Sequence, residues 1–367
     1  MGKLFSQLVF VIFLSIFSVM AGTAQNSWFH GIESAGQSGF IMPHNRSIDY
    51  MTSEYVNAFH LNLVRETDGD KLWEKLYGYP SLGFGFYHGS LGNNHVYGKS
   101  YSLYSYFEAP AFRYPDLFEI NYRLSYGLSY VTKTFELYRN YNNIAIGTHL
   151  NLHFNLMLNL IIPFNNHFKL FSSAGFTHFS NGKIKSPNKG LNVVSGGLGI
   201  RYMFSPAEKE AFDPESIPPV KKKNHYTIIW SNGIKDYSRF DQNKYYIYSL
   251  AFNYHRKYKH WGQWGTGLDL FYDGSLINLT ETRSGGGFFN KNLYRLGLHG
   301  SQEFLIGDFS LGLQLGYYLY SKVFYITNIY SRVSLKYKIT PFLLANISLK
   351  SHNANAEFIE FGVGYSW

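Results

Sequence analysis

The residues of this chain best suited to chemistry lie together in one short stretch, FTHFSNGKIKSPNKGLN, which runs from Phe176 to Asn192. His178 and Ser180 are two positions apart, and Asn192 follows a lysine-rich loop. Nucleophilic acyl transfer needs a serine hydroxyl, a histidine that takes its proton and a third group that orients the imidazole ring. The stretch therefore predicts a Ser-His-Asn catalytic triad. The alternative is a strand end whose polar residues meet lipid headgroups.

The elements that must position these residues are indicated by the alternation on both sides of the loop. In the segment 168–180 the even-numbered positions are the more apolar set and lack the lysine, and the even positions of the segment 191–204 behave in the same way. Successive residues of a strand face opposite sides, so the even positions are predicted to face lipid. His178, Ser180 and Asn192 then share one face, with Asn192 about 5 Å away on the adjacent strand.

The composition of the whole chain predicts a transmembrane antiparallel β-barrel, an all-β fold. Aromatic residues make up 19% of the chain, with 32 Tyr and 32 Phe, and charged residues only 16%. Beyond the N-terminus, no stretch approaches the roughly 18 consecutive apolar residues that a membrane-spanning helix needs. The last residues, EFIEFGVGYSW, alternate apolar side chains with small or polar ones, which is typical of a membrane strand. The rival interpretation is a secreted β-sandwich.

The N-terminus predicts export. Lys3 is followed by the apolar run Leu8–Met20 and the small residues AGTA, so residues 1–24 are predicted to be a signal peptide cleaved after Ala24. The run is too short for a spanning helix, which disfavours the alternative of a signal anchor. The chain has no cysteine, so packing and hydrogen bonds must hold it together. A final strand that ends on Trp367 resembles the assembly signal of bacterial outer-membrane proteins, and this membrane is the predicted location.

Sixteen strand-like segments are predicted, in two groups of eight. The first group is 31–42, 55–66, 79–90, 97–109, 118–132, 143–163, 168–180 and 191–204. The second group is 225–236, 244–256, 264–275, 291–306, 309–321, 324–338, 342–352 and 356–367. Clusters of Gly, Asn and Asp separate the segments. The charged, proline-bearing segment 206–224 lacks alternation and is predicted to be a linker between the domains 25–205 and 225–367.

The two groups resemble each other, which predicts a duplicated eight-stranded unit. The sequence Phe-Tyr-x-Gly-Ser-Leu occurs in the third segment of each group, within Tyr79–Leu91 and Trp264–Leu276. The segments before these and the closing segments also align, although membrane strands in general resemble one another. Two architectures follow: two tandem eight-stranded barrels, or one barrel of about sixteen strands. The linker is long for a periplasmic turn, and each group ends in its own closing strand, which favours two barrels.

The formal net charge of +9 suits phosphate-rich neighbours such as lipopolysaccharide. This charge is diffuse, and no basic helix or RNA-binding aromatic motif accompanies it, so no nucleic-acid partner is expected. If the mature N-terminus lies in the periplasm, the odd-numbered strands run outward and the loop after Ser180 is extracellular. The polar cluster then lies at the boundary of the outer leaflet, where lipid A is found.

The stretch HFSNGKIKSPNKGLN resembles the signature of the PagL-type lipid A 3-O-deacylases. The residues that carry the resemblance are His178, Ser180, Asn181, the Pro187-Asn188 turn, Gly190 and the last position, Asn192. It extends more loosely over residues 27–205 and includes NNIAIGTHLN (Asn142–Asn151). The resemblance implies an eight-stranded outer-membrane barrel that hydrolyses an ester-linked acyl chain of lipid A without a cofactor. It also implies Ser180 as nucleophile and His178 as general base.

The sequence departs from this family at one position, because well-known members carry a glutamate where this chain has Asn192. The departure implies a Ser-His-Asn variant, a slower enzyme, or an acid supplied from elsewhere, for which Glu108 is a candidate. In the second half, HNANAE places His352 opposite His178 and Glu357 opposite Asn192, but an alanine stands at the position of the serine. The second unit is therefore predicted to be a degenerate copy without its own active site.

Substrate binding is predicted for Asn181 and for the loop lysines Lys183, Lys185 and Lys189. The lysines could hold the phosphates of lipid A, or they could belong to an ordinary solvated loop. His149 and His153 could in principle share a metal, but polar lining of the barrel is the preferred interpretation, and no metal is expected. The alternative function is a non-catalytic outer-membrane barrel, either a pore or an adhesion or structural protein.

Overall fold

A computed structural model of the 367-residue chain describes residues 28–367 apart from 45, 53, 210–214, 216, 221–223, 239, 241–242, 280–289, 324–326 and 353–354. The predicted signal peptide lies outside the described residues, as does part of the predicted linker. Within the described part of the chain, no helix is long and apolar enough to cross a membrane.

The first eight strands form a closed antiparallel barrel, here called the first barrel. Its strands are β1 (Gly31–Ile41), β2 (Val56–Glu66), β3 (Ser81–Ser90), β4 (Lys99–Tyr114), β5 (Phe118–Val131), β6 (Leu150–Pro163), β7 (Phe168–Ser180) and β8 (Leu191–Met203). Closure comes from β1 pairing with both β2 and β8, from Gly31 opposite Met203 to Ile41 opposite Val193. Two short helices, Arg46–Asp49 and Leu72–Leu76, lie between strands.

The next eight strands close on themselves as a second barrel. They are β9 (Asn224–Asp236), β10 (Lys244–Lys259), β11 (Gly262–Asp273), β12 (Tyr294–Ile306), β13 (Phe309–Ser321), β14 (Ile329–Lys338), β15 (Leu343–His352) and β16 (Asn355–Ser366). Short 3₁₀ helices at Gly274–Leu279 and Lys291–Leu293 connect β11 to β12. Because β9 pairs with both β10 and β16, the architecture of two eight-stranded barrels is confirmed, and the alternative of one barrel of about sixteen strands is wrong.

Both barrels bury one face of each strand and expose the other. In β6, for example, the buried positions alternate strictly with exposed leucines and isoleucines such as Leu158 and Ile162, which are 56% and 45% exposed. Apolar side chains on the outer surface of a closed sheet are stable only against lipid, because in water they would form a continuous hydrophobic band. The alternation therefore places the barrels in a membrane.

The middle of the first barrel is filled by charged side chains. Arg123 donates hydrogen bonds to Glu33 at 2.6 and 2.8 Å and to Glu108 at 2.7 Å. Arg201 lies 2.7 Å from Glu33 and 2.6 Å from Glu108. Buried carboxylates keep their charge when they are paired in this way. Glu108 therefore belongs to an interior ion-pair cluster, and the suggestion that it supplies the missing acid to His178 on the outer face is wrong.

One predicted strand is too long. The segment 143–163 was expected to be strand throughout, but β6 begins only at Leu150. Ala145 and Ile146 are fully buried in the core cluster at that end of the barrel, and the Asn143 side chain donates to the carbonyls of Val96 and Lys133. Ala145 and Ile146, which fit the apolar pattern of a strand in the sequence, thus belong to a loop that covers the end of the barrel.

The Phe-Tyr pairs of the two Phe-Tyr-x-Gly-Ser-Leu sequences lie in the third strand of each barrel, but their side chains have opposite orientations. In β3, Tyr87 faces the interior and is 1% exposed, whereas Phe86 shares the outer face with Phe84. In β11 the interior residue is Phe271, also 1% exposed, and Tyr272 faces outward. A shift of one residue moves every side chain of a strand to the opposite face. The shared Phe-Tyr pair, which suggested duplication, is therefore shifted by one residue between the two barrels.

Candidate active site

The end of β7 and the start of β8 bring the predicted triad residues together. His178 lies opposite Asn192 in the register of the two antiparallel strands, and Ser180 is the last residue of β7. The even positions of both strands face outward, as the alternation predicts, because exposed Leu170 and Leu198 share their phase. The three side chains thus converge at one end of the outer surface of the first barrel, which we call the loop end.

Two short hydrogen bonds connect the three side chains. His178 Nδ1 is 2.6 Å from Asn192 Oδ1, and His178 Nε2 is 2.9 Å from Ser180 Oγ. An amide oxygen can only accept, so Nδ1 must carry the imidazole proton in the neutral ring. Nε2 is then the acceptor for the serine hydroxyl. This is the tautomer that a general base needs in order to take a proton from a serine.

The orientation of the Asn192 amide is fixed by His44, a residue that the sequence did not indicate. The Asn192 side-chain Nδ2 lies 3.1 Å from His44 Nδ1, which can accept from it when the imidazole is neutral. His44 belongs to the connection between β1 and β2, far from Asn192 in sequence. No local pattern marks it, because its proximity arises only when β1 pairs with β8 and closes the barrel.

Gly190 holds the other side of the imidazole. Its φ is +75°, in the left-handed region that favours glycine, and a Cβ added there would lie 2.7 Å from His178 Cε1. Ser180 is 4% exposed, and His178 is half-buried. The loop backbone therefore packs directly on the ring and limits its motion. Gly190 is part of the motif quoted above, but its role depends on the folded loop.

Two asparagines of the loop have distinct roles in the structure. Asn181 is 3% exposed and donates from Nδ2 to Thr148 Oγ1 at 3.1 Å and to the Lys185 carbonyl at 2.9 Å. Asn188 accepts a hydrogen bond from the Asn181 backbone N–H, at 3.0 Å, through its Oδ1. Among the described residues, nothing accepts a hydrogen bond from Asn188 Nδ2, which is buried. A buried donor without a partner, on a side chain bonded to the backbone N–H of the residue that follows Ser180, is suited to a charged ligand oxygen.

Family models match both barrels. A model described as Lipid A 3-O-deacylase (PagL) matches residues 57–201, and one described as Acyloxyacyl hydrolase, C-terminal domain, matches residues 224–367. The chain belongs to the PagL family. This family comprises lipid A deacylases, which are ester hydrolases, and it places the chain in the bacterial outer membrane.

Solved structures similar to this PagL-family chain include porins and an outer membrane protein. They include a KdgM porin with oligogalacturonate (9% identity, 72% of this chain and 93% of that chain, TM-score 0.20). They also include Omp33 of Acinetobacter baumannii (10% identity, 93% and 100%, TM-score 0.18) and a Rhodopseudomonas blastica porin mutant (9% identity, 92% and 99%, TM-score 0.17). At these scores the likeness carries no argument about this chain. No curated protein sequence matches it.

The loop lysines of this PagL-family chain differ in their surroundings. Lys185 and Lys189 are exposed, whereas Lys183 is half-buried and has φ +69°. Burial lowers the pKa of Lys183, and the nearby positive charge of Lys235 in the second barrel lowers it further. Lys185 and Lys189 are therefore free to meet a phosphate at the surface, and Lys183 is directed toward the second barrel.

The two histidines considered for a metal occupy separate environments. His153 is fully buried and stacks on Tyr104 with ring centroids 5.0 Å apart. His149 lies outside β6, where its Nδ1 is 2.8 Å from the Val131 carbonyl oxygen. Among the described residues, no group of three or more His, Cys, Asp or Glu side chains could hold a metal ion.

Proposed function

We propose that this chain is an outer-membrane serine esterase that removes an ester-linked acyl chain from lipid A. Ser180 is the nucleophile, His178 the general base, and Asn192 the group that orients the imidazole. The observation that carries the proposal is the continuous hydrogen-bond chain from Asn192 through His178 to Ser180, at 2.6 and 2.9 Å. Membership of a lipid A deacylase family supports the substrate class.

The geometry supports a two-step acyl transfer. Ser180 Oγ attacks the ester carbonyl of the acyl chain, and its proton passes to His178 Nε2. The tetrahedral intermediate then collapses, the sugar alkoxide leaves, and it takes the proton from His178. A water molecule, deprotonated by the same Nε2, attacks the acyl-serine carbonyl; the bond to Ser180 Oγ then breaks, the fatty acid is released, and Oγ takes the proton back from His178.

Asn188 is suited to stabilise the oxyanion. Its Oδ1 is fixed by the backbone N–H of Asn181, the residue after Ser180, so the amide that carries Nδ2 is not free to rotate. A preorganised donor directed at the developing negative charge typically contributes about 10²–10³ in rate. The hydrogen bonds of Asn181 to Thr148 and Lys185 fix the loop that carries this donor, so we propose that Asn181 acts through the loop rather than on the substrate.

The absence of a carboxylate at position 192 removes a negative charge from the site, while the Asn192 amide still orients the imidazole. The Asn192 carbonyl selects the productive tautomer of His178, and His44 keeps the amide from presenting its NH₂ to Nδ1. A neutral amide cannot compensate the positive charge that His178 gains during the reaction. We therefore propose an active but slow Ser-His-Asn enzyme.

The location of the site fits a lipid substrate. The site lies on the outward face of the first barrel, where the next outward residues of β7 and β8 are the apolar, half-buried Phe176 and Val194. The exposed ammonium groups of Lys185 and Lys189 lie on the adjoining loop, where lipid A phosphates would be. Asn188 and these lysines would therefore contact the ester and the phosphates of one lipid A molecule.

The proposal is tested by incubating the full-length protein with lipopolysaccharide and measuring the release of acyl chains by mass spectrometry. Wild type is expected to release a fatty acid, and Ser180→Ala is expected to release none above background. An active-site phosphonate should label wild type and leave Ser180→Ala unlabelled. If wild type leaves lipid A intact, the esterase proposal is wrong. Ion conductance in planar bilayers would then favour the pore, although the ion pairs that fill the first barrel argue against conduction.

A further inference from the structure

The loop between Ser180 and Asn192, residues 181–190, is in contact with the second barrel. Ser186 N donates to Asp236 Oδ2 at 3.0 Å, and Asp236 N donates to the Lys183 carbonyl at 3.3 Å. Lys244 Nζ donates to the Ile184 carbonyl at 2.7 Å. Asp236 ends β9 and Lys244 begins β10, so these hydrogen-bond partners of the loop come from one hairpin of the second barrel.

Burial at the rim of the second barrel shows that this contact excludes solvent from Ile359 and Asp236. Ile359 lies on the outward face of β16, in phase with Phe361 and Val363, which are 53% and 52% exposed. Ile359 is only 4% exposed, because Gly182 of the first barrel packs on it. A Cβ added to Gly182 would lie 2.1 Å from Ile359 Cδ1. Asp236 is likewise on the outward face of its strand and is 6% exposed.

The backbone of the loop needs such support. Gly182, Lys183 and Gly190 all have positive φ, and Lys183 is not a glycine, so its conformation is strained by about 1 kcal/mol. On its second half the loop is tied to the first barrel, because Gly190 N donates to the Ala145 carbonyl at 3.0 Å. On its first half, the polar backbone groups of residues 183, 184 and 186 bond to Asp236 and Lys244. The two barrels thus hold the loop from opposite sides.

We propose that the second barrel is a positioning element of the active site, and that Asp236 and Lys244 are its positioning residues. The loop carries Asn188, which bonds to the backbone N–H of the residue after Ser180, and Gly190, which packs against His178. The second barrel thereby fixes the geometry of groups that it does not contact. The salt bridge between Asp236 and Lys244, at 2.5 Å, keeps both side chains directed at the loop. This inference rests on the proposed esterase function and gives the second barrel a role within it.

The first test measures kcat and KM on lipopolysaccharide for Asp236→Ala and Lys244→Ala in the full-length protein. A shift of about 1 Å in reacting groups can cost on the order of 10² in rate, and we expect each variant to lower kcat about tenfold with KM within twofold. Asp236→Asn keeps an acceptor for Ser186 N and should recover part of the loss. Lys322→Ala removes an exposed lysine from the same end of the second barrel and should leave kcat unchanged. Heat-modifiable migration on gels verifies that each variant is folded.

The second test uses the absence of native cysteine. The double variant S186C/D236C removes the Asp236 acceptor and allows a covalent link, by oxidation or a short thiol crosslinker, between the loop and the second barrel. The linked protein is expected to approach wild-type kcat, and reduction of an oxidised link should lower kcat to the Asp236→Ala level. A structural role without effect on the site would not produce this reversible change.

The outcomes separate the two proposals. If wild type releases no acyl chain but the cysteine pair links efficiently, the esterase proposal fails and the docking of the loop stands. If wild type is active while Asp236→Ala and Lys244→Ala keep kcat within twofold, or if the cysteine pair does not link, the positioning role is overturned.

Discussion

The ends of β7–β8 and of β15–β16 occupy corresponding places in the two barrels, yet they present their histidines to opposite sides. His178 shares the outward phase of its strand and bonds to Asn192 directly across the hairpin. His352 shares the phase of Lys350, which is fully buried in the interior of the second barrel. The same residue type at a corresponding hairpin therefore faces lipid in one barrel and the barrel interior in the other.

Glu357, the acidic partner of His352, makes different contacts from those of Asn192. Glu357 Oε2 lies 2.9 Å from His352 Nδ1, but Glu357 also pairs with Arg295 at 2.9 Å and with Lys350. The residue opposite His352 in the strand register is Asn355, because a bulge interrupts the ladder beside Glu357. The second barrel thus has a histidine and a carboxylate in contact, but within an interior ion-pair network. Chemistry on a lipid requires the outward face, and only the first hairpin places its histidine there.

The largest expected effect tests whether the second hairpin could become a site. Ser180→Ala should lower acyl release by about 10⁴-fold or more. Adding Ala354→Ser to that variant restores a serine at the sequence position that matches Ser180. We expect no recovery, because His352 faces the interior, and release is measured by mass spectrometry of lipid A. Recovery of activity in the double variant would show that the second hairpin can present a working Ser-His pair.

Replacing His178 and replacing His352 should have very different effects on kcat. His178→Ala removes the general base and is expected to lower kcat about 10³-fold or more, whereas His352→Ala should leave kcat within twofold. His352→Ala should instead lower the stability of the second barrel, because Glu357 loses one of its partners. Urea unfolding in lipid vesicles, monitored by tryptophan fluorescence, measures this difference. Equal losses of kcat in the two variants would contradict the assignment.

An intermediate effect is expected for Gly190→Ala. The added Cβ would lie 2.7 Å from the His178 ring, so the imidazole must shift, and kcat should fall about 10- to 100-fold. Gly92→Ala is the matched control, because Gly92 also has a positive φ, +69°, and an added Cβ would meet Ile41 instead of the site. Both variants should lose similar stability. A kcat loss as large in Gly92→Ala would mean that strain, rather than the ring contact, limits the reaction.

The smallest effect concerns the missing acid. Asn192→Glu places a carboxylate beside His178, as Glu357 is placed beside His352 in the second barrel. A carboxylate would stabilise the imidazolium form of His178. We expect kcat to rise about tenfold, measured as initial rates of acyl release. Asn192→Leu is the control, because it removes the acceptor for Nδ1 and should lower kcat. A decrease in Asn192→Glu would indicate that the site depends on the neutral amide and its contact with His44.

The sequence predicted the strands of both barrels because their signals are local. Each of the sixteen predicted segments overlaps an observed strand, although β4 and β10 continue beyond their predicted ends, and the lipid-facing phase of β7 and β8 follows from the period of two alone. The closing segments 196–202 and 361–367 also alternate in the same phase in the two barrels. The third strands do not, since the shared Phe-Tyr pair is displaced by one residue. A motif comparison without a register cannot detect such a displacement.

What the sequence alone determined is which residue types share a strand face, because backbone geometry fixes that phase for every strand. It thereby placed His178, Ser180 and Asn192 on one surface. The tertiary structure decided which distant groups complete that surface: His44 beside Asn192, the covering loop at Ala145 and Ile146, and the contact of residues 181–190 with Asp236 and Lys244. These contacts arise from barrel closure and from the packing of one barrel on the other. Neither leaves a periodic signal in the chain, because the partners come from separate loops.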